Sequence, residues 1–167
     1  MDGTVEGPTE TFVAPGARVE GSVTLHTDSG IWYGAIVRGV DAPVVIEAQA
    51  NVQDNCVVEG TPGHPARIGA RATLGHNARV YGAQVDASAM IAIGATVMPG
   101  ARVGTHSIVA ANAVVPEGMR VPPRTLVIGN GRLLREVRPE EIERIEHGAD
   151  EYVRLGREHA HRTVSRA

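Results

Sequence analysis

The sequence has 167 residues and a formal net charge of −3, from 16 basic and 19 acidic side chains. This length is typical of one domain spanning 1–167, and the charges are scattered, so no basic surface for nucleic acid or an anionic membrane is expected. Since no apolar run approaches membrane-spanning length and residues 1–10 carry no apolar leader segment, we predict a cytoplasmic protein.

From about residue 10 to residue 130, an aliphatic residue recurs every six positions. A period of six excludes an α-helix, whose apolar stripe recurs every three to four residues, and also a simply alternating strand. It is typical of a short strand plus a tight corner, three of which close one coil of a triangular prism. We therefore predict an all-β solenoid, a left-handed parallel β-helix of hexapeptide repeats. The aliphatic positions are Val13, Val19, Leu25, Ile31, Val37, Ile46, Val52, Val58, Ile68, Leu74, Val80 and, after a slip at Val85, Ile91, Val97, Val103, Val109, Val115, Val121 and Val127.

A small residue lies four positions after most of these aliphatic residues, for example Ala35, Ala78 and Ser107. Both positions are expected to point inward, because each coil buries its aliphatic layer against the next. Cys56, the single cysteine, occupies the small position of its repeat. We therefore predict that Cys56 fills the core, which we favour over a catalytic thiol; a lone cysteine also excludes an internal disulfide or a multi-cysteine metal cluster.

A helical pattern follows the repeats, from Pro139 to about His159. Its apolar residues recur at helical spacing, and a proline is permitted in the first turn of a helix. We predict an amphipathic C-terminal α-helix that packs along the prism, with a polar tail after it. The apolar residues are Ile142, Ile145, Ala149, Tyr152 and Leu155.

Polar residues at equivalent hexad positions should stack in columns, because residues three hexads apart stand above one another. Such a concentration of reactive side chains on a scaffold of Val, Ala and Gly is a candidate site. An ion-pair ladder without a chemical role is the alternative that spacing alone leaves open. The two predicted columns are Arg38, Glu59 and Tyr81 on one face, and Tyr33, Asp54 and His76 near the adjoining corner.

Three segments of the chain, Ile31–Gly39, Asn51–Asp54 and Leu74–Asn77, resemble the IWxxxVxRGD, NIQD and IGH motifs of the γ-class carbonic anhydrases. The likeness covers about residues 10–157. It implies a homotrimer with active sites between subunits, each zinc being held by two histidines of one chain and one of its neighbour. His76 matches the histidine of the IGH motif.

The resemblance also implies that two of the three zinc histidines are replaced, by Glu59 and Tyr81. Zinc in a hydratase needs neutral imidazoles so that its bound water ionises near neutral pH. Ligation by a tyrosine requires loss of a proton whose usual pKa is about 10. No metal or other cofactor is therefore expected; if zinc does bind, its ligands would be His76, Glu59 and Tyr81.

The favoured function is that of a metal-independent acid/base enzyme that hydrolyses, eliminates or isomerises a small molecule. The alternatives are a zinc-dependent γ-class carbonic anhydrase with an altered ligand set, a hexapeptide-repeat acyltransferase, and a non-catalytic trimeric assembly protein. The predicted catalytic residues are Glu59, His76, Tyr81 and Asp54, and the predicted substrate-binding residues are Arg38, Gln53, Tyr33 and the loop histidine His64.

Overall fold

The computed structural model of the protein describes residues 5–6 and 10–164. Within these ranges the chain forms 19 strands followed by one helix, α1 (Pro139–Val164). The strands are β1 (Val5–Glu6), β2 (Phe12–Val13), β3 (Arg18–Leu25), β4 (Gly30–Ile31), β5 (Ile36–Ile46), β6 (Asn51–Val52), β7 (Val57–Glu59), β8 (Ala66–Ile68), β9 (Thr73–Leu74), β10 (Arg79–Tyr81), β11 (Gln84–Val85), β12 (Met90–Ile91), β13 (Thr96–Val97), β14 (Arg102–Val103), β15 (Ile108–Val109), β16 (Val114–Val115), β17 (Arg120–Val121), β18 (Thr125–Ile128) and β19 (Arg132–Glu136).

The strands wind into a left-handed parallel β-helix, as the hexad period predicted. Equivalent strands of successive coils pair in parallel, for example Val37 with Val58 and Val58 with Val80. We name the three sides of the prism by their elements. The β7 face contains β7, β10, β13, β16 and the first part of β5; the β8 face contains β8, β11, β14, β17 and the last part of β5; the helix face contains β2, β4, β6, β9, β12, β15 and β18.

The core is a stack of aliphatic residues inside the prism. Ile31, Val52 and Val80, which occupy the predicted inward position, are each 0% exposed. Burial of such a side chain contributes roughly 1.5–3 kcal/mol of transfer free energy. Val13 is an exception to the predicted pattern, since 42% of it is exposed. Its strand, β2, is the terminal strand of its sheet, and no described strand pairs with its outer edge.

Tight corners connect the three faces and fix where the polar columns stand. Asn55 and Asn77 follow Asp54 and His76 and have φ angles of 60° and 62°. Asparagine tolerates this left-handed conformation better than most residues, so the chain can turn sharply there. The side chains just before these two corners are therefore held at one edge of the prism.

The repeat ends in a hairpin that the hexad pattern did not predict. Strand β19 pairs with β18 in antiparallel register, after a turn in which Gly129 and Gly131 have positive φ angles. Two leucines of β19, Leu133 and Leu134, are about half exposed. The hairpin closes the last coil, and the chain then enters the helix.

Helix α1 runs back over the prism from the last coil to the first. It contacts β2, β4 and β6, and it continues past His159, where the sequence pattern placed its end. Near its start, the Arg138 amide donates a hydrogen bond to Glu141 Oε2 at 2.8 Å, which satisfies a donor at the helix terminus. Within the described residues, no helix is long and apolar enough to cross a membrane.

Candidate functional site

One column of polar side chains runs along the β7 face. Arg38, Glu59 and Tyr81 are paired in register on β5, β7 and β10. Arg38 Nη1 donates a hydrogen bond to Glu59 Oε1 at 2.6 Å, and the Glu59 side chain is 26% exposed. The column predicted from the repeat is therefore present. Its two charged members, Arg38 and Glu59, form a close ion pair that is partly shielded from solvent.

The column begins one coil earlier than predicted, at Glu20. Glu20 pairs in register with Arg38 and accepts a hydrogen bond from Arg38 Nε at 3.1 Å. The hydrogen bond to Glu20, followed by the charge of Glu59, raises the pKa of the Arg38 guanidinium above its usual value. A permanent cation thus lies between two carboxylates. Glu20 directly follows Val19, as Arg38 follows Val37, so the hexad register alone would have identified it.

The second column stands where the chain turns from the helix face to the β7 face, and we call this edge the Tyr33 corner. The amides of Asn55 and Asn77 donate to the carbonyls of Tyr33 and Asp54, both at 3.0 Å, which stacks Tyr33, Asp54 and His76. His76 Nδ1 lies 4.0 Å from Asp54 Oδ1 and is buried without a hydrogen-bond partner. This distance is too long for a hydrogen bond, so Asp54 is a near neighbour of the imidazole and not its acceptor.

Tyr33 is tied to the end of helix α1. The Tyr33 hydroxyl lies 2.9 Å from His159 Nδ1, within hydrogen-bond distance. The His159 ring also packs on Phe12 and Trp32, with ring centroids 5.7 and 5.3 Å away. No role was predicted for His159, although it lies on the same helical face as Tyr152, which packs on Trp32 as well. Tyr33 is thus part of an aromatic cluster as well as a member of the corner column.

Two predicted substrate-binding residues lie outside both columns. Gln53 is only 7% exposed, and its Nε2 donates to Asn51 Oδ1 at 3.1 Å. His64 is exposed, and its backbone exchanges hydrogen bonds of 2.9 and 2.8 Å with Thr61. Among the described residues, neither side chain hydrogen-bonds to a member of either column. His64 nevertheless packs beside Gly82, the residue that follows Tyr81.

Known proteins similar to this chain identify its family. It is 42% identical to a protein of Methanocaldococcus jannaschii named "Probable carbonic anhydrase", over 86% of this chain and 91% of that protein. It is 38% identical to gamma carbonic anhydrase 1 of Arabidopsis thaliana mitochondria, over 90% of this chain. The chain belongs to the γ-class carbonic anhydrase family.

Within this family the chain differs in length from some members and shares its fold with proteins beyond it. The chain spans only 58% of the Arabidopsis protein. A hexapeptide transferase family protein from Anaplasma phagocytophilum superimposes with a TM-score of 0.84 at 27% identity, covering 91% of this chain and 90% of that one. No protein-family model matches the sequence.

The residues at the positions that the γ-class motifs assign to zinc do not fit the metal well. The Glu59 carboxylate is held by the Arg38 guanidinium at 2.6 Å, so a zinc ion bound there would lie next to a permanent positive charge. Tyr81 offers a phenol, a group that is ordinarily neutral near pH 7. Among the described residues, no three His, Cys, Asp or Glu side chains converge in a way that could hold a metal ion. Of these three positions only His76 supplies an imidazole, whereas such a site needs three.

Proposed function

We propose that this member of the γ-class carbonic anhydrase family is a homotrimer whose remodelled intersubunit site performs acid/base chemistry on a small molecule without a metal. The observation that carries the proposal is the contact of 2.6 Å between Arg38 and Glu59. The guanidinium places a positive charge beside the carboxylate, where a metal cation would otherwise lie. Efficient hydration of carbon dioxide is not expected from such a site.

The proposed chemistry divides the roles among the two columns. Glu59, whose carboxylate is partly shielded from solvent, is the general base, and Tyr81 in the adjacent coil donates a hydrogen bond to the substrate. His76 exchanges protons through Nε2, and Asp54, whose Oδ1 lies 4.0 Å from Nδ1, orients the ring once the two groups close to hydrogen-bond distance. Arg38 uses Nε and Nη1 for Glu20 and Glu59, which leaves Nη2 to bind an acidic group of the substrate.

The separation of the two columns supports the intersubunit arrangement. Among the described residues of one chain, no hydrogen bond or ion pair joins Glu59 or Tyr81 to Asp54 or His76. A site that uses both columns can be completed when the Tyr33 corner of one chain faces the β7 face of the next. Ile93 occupies the same corner one coil after His76 and is 55% exposed. Its side chain supplies an apolar contact for that interface.

Zinc binding tests the metal-independent part of the proposal. Wild-type protein and the double variant Glu59→His with Tyr81→His are equilibrated with zinc, dialysed and measured for metal content and carbon dioxide hydration. We expect little zinc and negligible hydration for the wild type, and increased zinc affinity for the double variant because it restores three imidazoles. Stoichiometric zinc in the wild type together with rapid hydration would favour the zinc-dependent alternative, which family membership supports.

A matched pair of glutamate variants tests the acid/base part. The protein is first screened for turnover of small carboxylates, amides and esters. With any substrate found, Glu59→Gln should lower kcat by about 10²- to 10⁴-fold while the trimer persists. Glu47→Gln is the control, because Glu47 is also a partly exposed glutamate bound by an arginine, Arg67, but it directly follows β5 at the end of the β8 face. Equal activity of Glu59→Gln and wild type would show that the base is elsewhere, with His64 the next residue to test.

A further inference from the structure

A second cluster of charges lies on the β8 face, away from both columns. Successive coils place Arg67, Gln84, Arg102 and Arg120 directly above one another in parallel register. The ladder therefore ends with two arginines on neighbouring strands. Like charges directly opposite in a sheet repel each other unless another group compensates them.

The compensation at this end of the ladder is incomplete. Asp86 binds Arg102 through Nε, with distances of 3.2 and 3.0 Å to its two carboxylate oxygens. Arg120 is exposed and forms no hydrogen bond or ion pair with any residue that the structure describes. Lower in the ladder, by contrast, Arg67 has its own carboxylate, Glu47. One positive charge is thus left over between Arg102 and Arg120.

The two arginines border a preformed cavity of about 320 Å³. Gly104 lets two coils approach closely beside the cavity, because a Cβ atom there would lie 2.5 Å from the nitrogen of Pro123 in the next coil. Two consecutive prolines, Pro122 and Pro123, also line the cavity, and their φ angles are fixed. The cavity is lined by Asp86, Arg102, Gly104, Arg120, Val121, Pro122 and Pro123.

We propose that this cavity binds a phosphate group, either as inorganic phosphate or as the monoester group of a small organic phosphate. Asp86 contacts only Nε of Arg102, so it orients this side chain and leaves its terminal nitrogens to the ligand. The free guanidinium of Arg120 supplies a second fork of donors, the arrangement that suits tetrahedral oxyanions. Among the residues that the structure describes, Asp86 is the one acidic group lining the cavity; it opposes the ligand, so moderate affinity is expected. The site lies on a different face from Glu59 and does not depend on the proposed function.

Calorimetric titration of the full-length protein with sodium phosphate tests this site, with sodium chloride of equal ionic strength as the reference. We expect saturable phosphate binding at one site per chain, and no saturable binding of chloride. Arg120→Gln and Arg102→Gln should each weaken phosphate binding by about tenfold or more. Arg132→Gln is the matched control, since Arg132 is also exposed but lies on the β19 hairpin. Circular dichroism establishes that each variant keeps the fold.

Glycerol 2-phosphate, titrated in parallel, distinguishes the two forms of the ligand. Binding comparable to that of inorganic phosphate assigns the site to phosphate monoesters, whereas binding of inorganic phosphate alone assigns it to the free anion. The proposal is overturned if neither phosphate saturates, if chloride binds equally well, or if Arg120→Gln binds as wild type does. An equal loss of binding in Arg132→Gln would also overturn it, because the effect would then reflect overall charge.

Discussion

The reactivity of a residue in this fold depends on its position within the hexad, and Cys56 shows this directly. Its side chain is 0% exposed, and Sγ donates a hydrogen bond to the Gly75 carbonyl at 3.0 Å. Burial raises the pKa of the Cys56 thiol to about 12. The reactive form of cysteine is the thiolate, so this residue is predicted to be neither nucleophile nor metal ligand.

The first prediction is that native Cys56 resists alkylation. At pH 8 the thiol stays protonated and inaccessible, so iodoacetamide should leave the folded protein unmodified over hours, as measured by mass spectrometry. The same protein in concentrated guanidinium chloride should be alkylated completely within minutes, which serves as the control. Rapid alkylation of the folded protein would mean that the coil around Cys56 opens readily or that its thiol is exposed.

Single residues of the candidate site were predictable where the repeat alone decides their position. The register of Arg38, Glu59 and Tyr81 follows from counting hexads, and Glu20 could have been added by the same count. Gln53 is different, because it is buried on the helix face, where α1 packs over the prism. No short-range pattern in the sequence specifies that contact.

At the scale of elements, helix α1 is held to the prism by a cluster around Glu146. Arg71 Nε donates to Glu146 Oε2 at 2.7 Å, and His106 Nε2 lies 2.9 Å from Oε1. Burial alone would raise the pKa of Glu146, but the hydrogen bonds from Ser88, His106 and Arg71 together outweigh it and lower the pKa from 4.5 to about 2. The ionised carboxylate therefore favours the folded state.

The second prediction concerns the pH dependence of this contact. Because the folded-state pKa is lowered, Glu146 stabilises the fold fully above pH 4.5, and this contribution is lost as the pH falls towards 2. Glu146→Gln should reduce the free energy of unfolding at pH 7 by about 1–2 kcal/mol, measured by urea denaturation. The difference from wild type should shrink steadily between those two pH values.

Glu143→Gln is the control for this prediction. Glu143 lies on the same helix but is exposed and forms no hydrogen bond or ion pair with the described residues. Its replacement should change the free energy of unfolding by less than about 0.5 kcal/mol at any pH. If Glu146→Gln is as stable as Glu143→Gln at pH 7, the Arg71 and His106 contacts do not stabilise helix docking.

The elements themselves were predictable to different degrees. The coils follow from the period of six, and the helix begins at Pro139, where the helical pattern starts. Strand β19 was missed because Arg132–Glu136 carries no hexad pattern and pairs antiparallel through a glycine turn. Its exposed leucines give it little resemblance to a half-buried strand. Local periodicity thus identifies the stacked coils better than the element that closes them.

At the scale of the whole molecule, the prism presents surfaces of different character. Helix α1 covers one face, and the β8 face carries a ladder of charged side chains. The Tyr33 corner is more apolar than the β8 face. Ile93 lies one coil above His76, and Tyr33 lies two coils below His76. Large exposed apolar side chains beside polar site residues are typical of an interface between chains. The sequence of one chain specifies these surfaces, but it does not specify how copies of the chain meet.

The last prediction is that Ile93 lies in a trimer interface. Wild-type protein at micromolar concentration should sediment as a species of three times the chain mass of 17.6 kDa. Ile93→Arg would bury an unpaired charge at each of three equivalent contacts, which costs several kcal/mol per ion, so this variant should sediment as a monomer with an unchanged circular dichroism spectrum. Leu134→Arg is the matched control, because Leu134 is similarly exposed, at 48%, but lies on strand β19. It should remain trimeric. A monomeric wild type would contradict the trimer itself, whereas a trimeric Ile93→Arg together with a monomeric Leu134→Arg would place the interface at the hairpin and leave His76 too far from a neighbouring Glu59 to share a site.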